Sequence, residues 1–232
     1  LLLAAALIIR APREGEAEPP SRAAGEKRRL ELRTLPRPST MWTLRCATVF
    51  CCISHSIPLV HVLPFASDIG IAPLAAASVM SVMGLMSLIT RLGMGALADR
   101  ITARVTLVIS GVFQTFMMLL LIRATTLTDF YVFAVLWPLG FGGIMLMYPV
   151  SLRELYGKDK IGGRVGSVFA FATIGMAAGG YFGGLLFDLL GTYRLVFTVS
   201  FAAGFINLAL TSAILYTTSG ARFLRLAQQD NA

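Results

Sequence analysis

A single guanidinium stands near the end of an otherwise apolar run, Arg91 in Ser87-Leu-Ile-Thr-Arg91-Leu-Gly-Met-Gly95. An arginine stays charged in a low-dielectric interior and presents two parallel donors, the geometry that holds a carboxylate. Its structural alternative is a long side chain that reaches lipid headgroups or ties down the following turn. Two imidazoles, His55 and His61, share another apolar run that contains Pro58 and Pro64; imidazole titrates nearest neutrality of all side chains. His61 is taken as a binding candidate, with a hydrogen bond to a carbonyl freed by either proline as its alternative. Trp137, in Trp137-Pro138-Leu-Gly140-Phe-Gly142-Gly143, is a candidate for a cavity wall, with packing as the alternative.

The twelve acids are placed differently. Five lie between residues 10 and 40, Asp230 is near the end, and Asp68, Asp99, Asp129, Glu154, Asp159 and Asp188 fall at the edges of apolar runs or between them. No acidic pair, metal-ligand cluster or activated nucleophile is present inside the runs, so an enzyme, a metal and a cofactor are not expected. Cys46, Cys51 and Cys52 occupy one run with no second cysteine-bearing segment to pair with. They read as free thiols, with reversible acylation of Cys46 as the alternative.

These residues must be positioned by elements that live in hydrocarbon. Apolar residues make up 56% of the 232, charged residues 14%, and mean hydropathy is +0.74, whereas soluble domains carry about 25% charge. A spanning helix needs about 20 apolar residues, and six segments qualify: 42–65, 72–94, 105–122, 130–152, 166–189 and 195–216. Short connections make successive helices antiparallel. The runs lack the alternation of barrel strands and are twice their length. Glycines 175, 179 and 183 recur at four-residue spacing, which permits close helix crossing and is unlike a nucleotide loop, which joins a strand to a helix.

The net charge of +8 is a matter of placement. With the region before the first span inside, eighteen of the twenty basic residues lie on that side, and only Arg123 and Arg194 lie opposite. The positive-inside rule puts both ends of the six-helix unit in the cytoplasm and leaves no role for nucleic acid. Residues 1–9 are apolar but too short to cross, and are read as the tail of a truncated transmembrane helix; a signal peptide is the alternative. Residues 10–40 hold five acids, eight bases and five prolines, the composition of a flexible cytoplasmic linker whose bases touch anionic lipid. Residues 41–217 form the transmembrane domain, and 218–232 a cytoplasmic tail.

The loop Gly95-Ala-Leu-Ala-Asp99-Arg100-Ile-Thr-Ala-Arg104 resembles the Gly-x-x-x-Asp-Arg-x-x-x-Arg loop of the major facilitator superfamily, whose copies follow the second and eighth spans. The string His61-Val-Leu-Pro-Phe-Ala-Ser-Asp68-Ile-Gly-Ile71 is similar to the seventh span of monocarboxylate-carrier-like and oxalate/formate-antiporter-like members, and the resemblance covers residues 42–216. It implies an all-α membrane protein, the carboxyl-terminal six-helix half of a twelve-span carrier, built as two inverted three-helix repeats. It further implies a small organic anion near the midplane, moved by rocking against a missing amino-terminal half. By resemblance, Arg91 pairs with the substrate carboxylate, while Gly95, Asp99, Arg100 and Arg104 form a conformational latch in which Asp99 caps a helix of the other half. Ser87 stands where those carriers place a companion Asp, and 166–189 lacks the Lys of oxalate carriers. A coupling proton would sit on His61, on His55 or in the other half. The expected location is a plasma membrane, a bacterial inner membrane being the leading case. The competing reading is a non-transporting membrane interaction module or a nonfunctional truncated product.

Overall fold

A computed structural model describes residues 38–157 and 161–229, and the side chains within them from 39 to 218. Eight helices make six membrane-length spans: α1 (Pro38–Asp68), α2 (Pro73–Arg100), α3 (Ala103–Phe116) with α4 (Met118–Arg123), α5 (Leu127–Leu136) with α6 (Pro138–Tyr156), α7 (Ile161–Leu190) and α8 (Tyr193–Gln229). The chain is a multi-pass membrane protein. The expected truncated helix at 1–9 and most of the linker lie outside the described residues; residues 38–40 already belong to α1. Beyond residue 218 the backbone of α8 continues as helix to Gln229.

Local chemistry explains the boundaries. Pro73 opens α2, where a missing N–H costs nothing. Thr102 accepts from Val105 N at 3.3 Å and starts α3. Thr126 and Asp129 close a reciprocal capping box on α5. Gly70 and Gly191 turn the chain between antiparallel spans at φ +84° and +64°, a region side chains avoid. The fourth span breaks at Trp137 because Pro138 has no N–H, and the Gly140 N–H bonds the Trp137 carbonyl at 3.0 Å, a tighter turn than the α-helical one.

The packing pattern carries an internal symmetry. The first span packs most heavily on the fifth and sixth, the fourth on the second and third, and the third on the sixth. Exchanging spans one to three with four to six leaves this pattern unchanged. Since successive spans alternate in direction, the fourth runs opposite to the first, so the two triplets are inverted repeats. The first and fourth spans are the central pair, 61% and 56% buried over their most apolar stretch, against 28% and 22% for the second and fifth.

Lipid gives helices no hydrophobic reason to associate, so close contact and internal hydrogen bonds hold the unit. A methyl group on Gly175 or Gly179 would stand 2.5 Å from the Val49 carbonyl or 2.9 Å from that of Ile53, which measures how closely α7 crosses α1. Gln114 of α3, fully buried, donates to the Cys51 carbonyl at 3.1 Å, and Tyr148 of α6 donates to Asn207 Oδ1 of α8 at 2.8 Å. Cys51 and Cys52 are buried free thiols and Cys46 is exposed.

Candidate functional site

Arg91 lies in the penultimate turns of α2 with its side chain exposed. Its position is set by glycines of α6. A methyl on Gly142 would meet the Ser87 carbonyl and Thr90 Cβ, each at 2.9 Å, and one on Gly143 would meet Met94 Cβ at 2.5 Å. The Ser87 to Met94 face of α2 is therefore seated directly on α6. Ser87, at the position of the missing companion Asp, is 4% exposed and turned into that contact.

Immediately before Gly142 on α6 comes Phe141 and, a turn earlier at the break that precedes α6, Trp137. Both rings pack on His55 of α1. The His55 and Trp137 centroids are 5.3 Å apart with planes 19° from parallel, and the Phe141 ring is 4.4 Å from His55. His55 is 7% exposed, and its Nδ1 is sealed without a hydrogen-bond partner among the described residues. The turn of α2 that carries Arg91 is seated on Gly142 and Gly143, the residues that follow Phe141. Thus α1, α2 and α6 bring an exposed guanidinium, a nearly buried imidazole and an aromatic wall to one level of the unit.

Trp137 does not present a face to open space. It is fully buried, stacked on Phe133 at 5.2 Å as well as on His55 and Phe141, and its Nε1 has no partner among the described residues. His61 is elsewhere, about 9 Å further along α1 at 1.5 Å per residue. Its Nε2 lies 3.2 Å from the Gly180 carbonyl, and its ring covers Gly183 of α7 and approaches Tyr193 at 6.0 Å. The structure brings Trp137 together with His55, seats the turn that carries Arg91 beside Gly142 and Gly143, and places His61 against α7. The carbonyl freed by Pro58, that of Ser54, accepts instead from Ser200 Oγ of α8 at 2.7 Å.

The hairpin residues separate into two groups. Arg104 Nε pairs with Glu154 Oε2 at 3.3 Å, and its Nη1 donates to Thr218 Oγ1 at 2.7 Å. Glu154 also accepts the Ala103 N–H at 2.7 Å, placing a carboxylate at the N-terminus of α3 where the helix dipole favours it. Arg104 therefore joins α3, α6 and α8 within this unit. Asp99 and Arg100 are exposed, without an ion pair among the described residues, and a methyl on Gly95 would meet nothing within 4 Å.

Sequence reasoning offers His55 only as one of several proton carriers, and it misses Phe141 and Glu154. No spacing along the chain signals these pairings, because each joins separate spans. A glycine doublet next to an aromatic, Phe141-Gly142-Gly143, is the one local hint of a close helix approach.

Comparison with known proteins bears on the family and the fold. A family model described as Major Facilitator Superfamily matches residues 1–151 and 46–223. The chain is 26% identical over 181 residues to Monocarboxylate transporter 12-B of Danio rerio, covering 76% of this chain and 37% of that protein. It is 28% identical over 144 residues to Monocarboxylate transporter 2 of Homo sapiens, covering 60% and 30% respectively. The chain thus spans about a third of the length of these relatives. In fold it is similar to FucP, a transporter solved in the outward conformation, with a TM-score of 0.63 and 17% identity over 92% of this chain and 51% of that one.

Proposed function

We propose, from the premise that this chain belongs to the Major Facilitator Superfamily, that it is one half of a secondary active carrier for a small organic anion of monocarboxylate type. It works by alternating access, rocking against an amino-terminal six-helix half in a plasma membrane. The observation that carries this reading is the exposed guanidinium of Arg91, held on a flanking span whose next turns are seated on Gly142 and Gly143, beside the Phe141 ring that packs on His55. A charge at that depth is costly unless it has a counter-ion to receive. The names of the relatives supply the substrate class.

In this reading Arg91 takes the carboxylate in a two-donor grip. Trp137 acts from behind, fixing the His55 ring against which the anion rests. His61 belongs to the frame, holding α1 on α7, so its effect on transport passes through helix packing. Gly95, Asp99 and Arg100 are free to latch onto the other half, while Arg104 anchors the hairpin to its own half through Glu154. The excess of basic residues on the hairpin side supports a cytoplasmic position for that side and for both ends of the unit.

The test is uptake of radiolabelled pyruvate by a full-length carrier containing this six-helix unit, in proteoliposomes. Arg91→Lys keeps the charge but loses the planar two-donor grip, and should raise the half-saturation about tenfold at equal incorporation. Unchanged uptake removes Arg91 from the site. Absence of uptake for any monocarboxylate by the unsubstituted carrier overturns the anion reading.

A further inference from the structure

We propose that the seam where α1, α3, α6 and α8 meet is a binding site for ordered water, held by Gln114, Asn207, Ser54 and Thr115. This does not rest on the anion reading above. Three helices show the same order of residues. On α1 the buried Ala47 and Cys51 are followed by Ser54, then by Ile57 and Val62. On α3, Leu107 precedes Ser110, Gln114 and Thr115, and Met118 and Leu121 follow in α4. On α8, Phe197 precedes Ser200, Asn207 and Thr211, and Ile214 follows. In each case polar residues separate one apolar cluster from the other, so the unit carries a polar layer between two apolar cores. These polar side chains are all 3% exposed or less. Groups so placed in hydrocarbon are costly unless they find partners.

Part of the layer satisfies itself. Gln114 Nε2 donates to the Cys51 carbonyl at 3.1 Å, Tyr148 Oη to Asn207 Oδ1 at 2.8 Å, and Ser200 Oγ to the Ser54 carbonyl at 2.7 Å. Gln114 Oε1, Asn207 Nδ2, Thr115 Oγ1 and Ser54 Oγ have no partner among the described residues. They converge on two glycines. A methyl on Gly111 of α3, one turn before Gln114, would stand 3.5 Å from Asn207 Nδ2. One on Gly204 of α8, one turn before Asn207, would stand 2.7 Å from Thr115 Oγ1 and 3.0 Å from Ser54 Oγ. Gln114 and Thr115 are neighbours on α3, so the four atoms occupy one short stretch of the seam. Ser110 Oγ, also without a partner among the described residues, is turned to Gly143 of α6 and stands outside the group.

The four atoms select their ligand. Gln114 Oε1 only accepts, Asn207 Nδ2 only donates, and the two hydroxyls do either. A cation would be repelled by the Asn207 N–H groups, and an anion by Gln114 Oε1; the seam's described residues offer neither a carboxylate nor a basic side chain to offset this. Water donates and accepts at once, and a buried molecule takes about two to four such partners. Since α1 and α3 belong to the first triplet of spans and α6 and α8 to the second, this water joins the inverted repeats between their apolar cores.

The test is radiolytic labelling of a full-length carrier containing this unit, in proteoliposomes prepared in water enriched in heavy oxygen. An X-ray pulse converts bound water into hydroxyl radical, which oxidises the side chains it touches. Tyr148 and Met118, 1% and 0% exposed, border the seam, Tyr148 through Asn207 and Met118 through Ser200 Oγ, 3.3 Å from its sulfur. Both should take up heavy oxygen, whereas Met83 and Phe130, buried in an apolar cluster, should not. Gln114→Leu combined with Asn207→Leu should abolish the label on Tyr148 and Met118. Thr115→Val, which keeps the side-chain shape and removes only the hydroxyl, should lower it, and decides the matter if the double variant fails to insert. No label on Tyr148 and Met118 overturns the water site. Label that persists unchanged in these variants overturns the named residues as its holders. Label that is lost when sodium replaces a bulky organic cation in the buffer makes this a cation site and overturns the choice of water.

Discussion

Ser200 of α8 donates its hydroxyl to the Ser54 carbonyl of α1 at 2.7 Å, and Ser54 is four residues before Pro58, whose missing N–H deprives that carbonyl of its helical donor. A proline-bent helix in lipid persists only where a neighbour supplies such a substitute. Ser200→Ala should therefore lower stability by about 1 kcal/mol, seen as an earlier thermal unfolding transition in detergent. Adding Pro58→Ala restores a backbone donor to Ser54 and should recover most of the loss. A double variant whose effect is the plain sum of the single ones would show that the two residues do not act on one carbonyl.

The crossing of α1 and α7 predicts a graded response among glycines. In Gly183→Ala the new methyl would stand 2.6 Å from His61 Nε2, and the overpacking should cost about 1–3 kcal/mol. His61→Ala in the same chain should relieve it. Gly175→Ala meets the Val49 carbonyl at 2.5 Å, backbone that no truncation removes, so its defect should persist. Gly184→Ala has only His61 Cε1 at 3.7 Å and should be neutral. Unfolding midpoints of these variants provide the check.

Glu154 carries two loads, the Ala103 N–H at the start of α3 and the Arg104 guanidinium. A double-mutant cycle with Glu154→Gln and Arg104→Ala should return a coupling of about 1 kcal/mol, because the pair is half-buried and reinforced by a helix terminus. Glu154→Gln should also cost more than Arg104→Ala, since it alone removes the carboxylate from the α3 terminus. A coupling near zero would reduce the bridge to an ordinary surface pair.

Gly142→Ala tests how α6 positions Arg91 without touching the charge. The added methyl would press on the Ser87 carbonyl and Thr90 Cβ and push α2 away from His55. In the pyruvate uptake assay the half-saturation should rise several-fold, since small displacements of a positioned group are costly. Relief of Thr90 by Thr90→Ser should restore little, because the Ser87 carbonyl remains. An unchanged half-saturation would separate Arg91's function from its seating on α6.

Much of the architecture was legible before any coordinates. The six runs at 42–65 through 195–216 appear as six spans, each longer than expected: caps such as Thr102 and Thr126 start helices before the apolar stretch, and α2 continues past it to Arg100. The glycine stripe at 175, 179 and 183 was readable as a close crossing, since small residues on one helix face have few other uses in lipid. Which helix it crosses was not readable, nor was the identity of the ring lodged over Gly183. Arg91 could be picked out because one charge in an apolar run is conspicuous. His55 and His61 could not be ranked, because both are imidazoles in the same proline-broken helix.

Length, hydropathy and charge placement by themselves determined a six-span helical unit and its candidate cation, for those properties act along the chain and need no partner. The tertiary structure alone decided that His55 packs on Trp137 and Phe141 while the turn carrying Arg91 is seated on the adjoining Gly142 and Gly143, and that His61 turns to α7 and Arg104 to Glu154. The physical reason is rotation about the helix axis. Six residues further along α1 amount to about 600° of turn at 3.6 residues per turn, which sends His61 to a different neighbour. Only the packed neighbours decide which of those directions holds a charge and which holds a glycine.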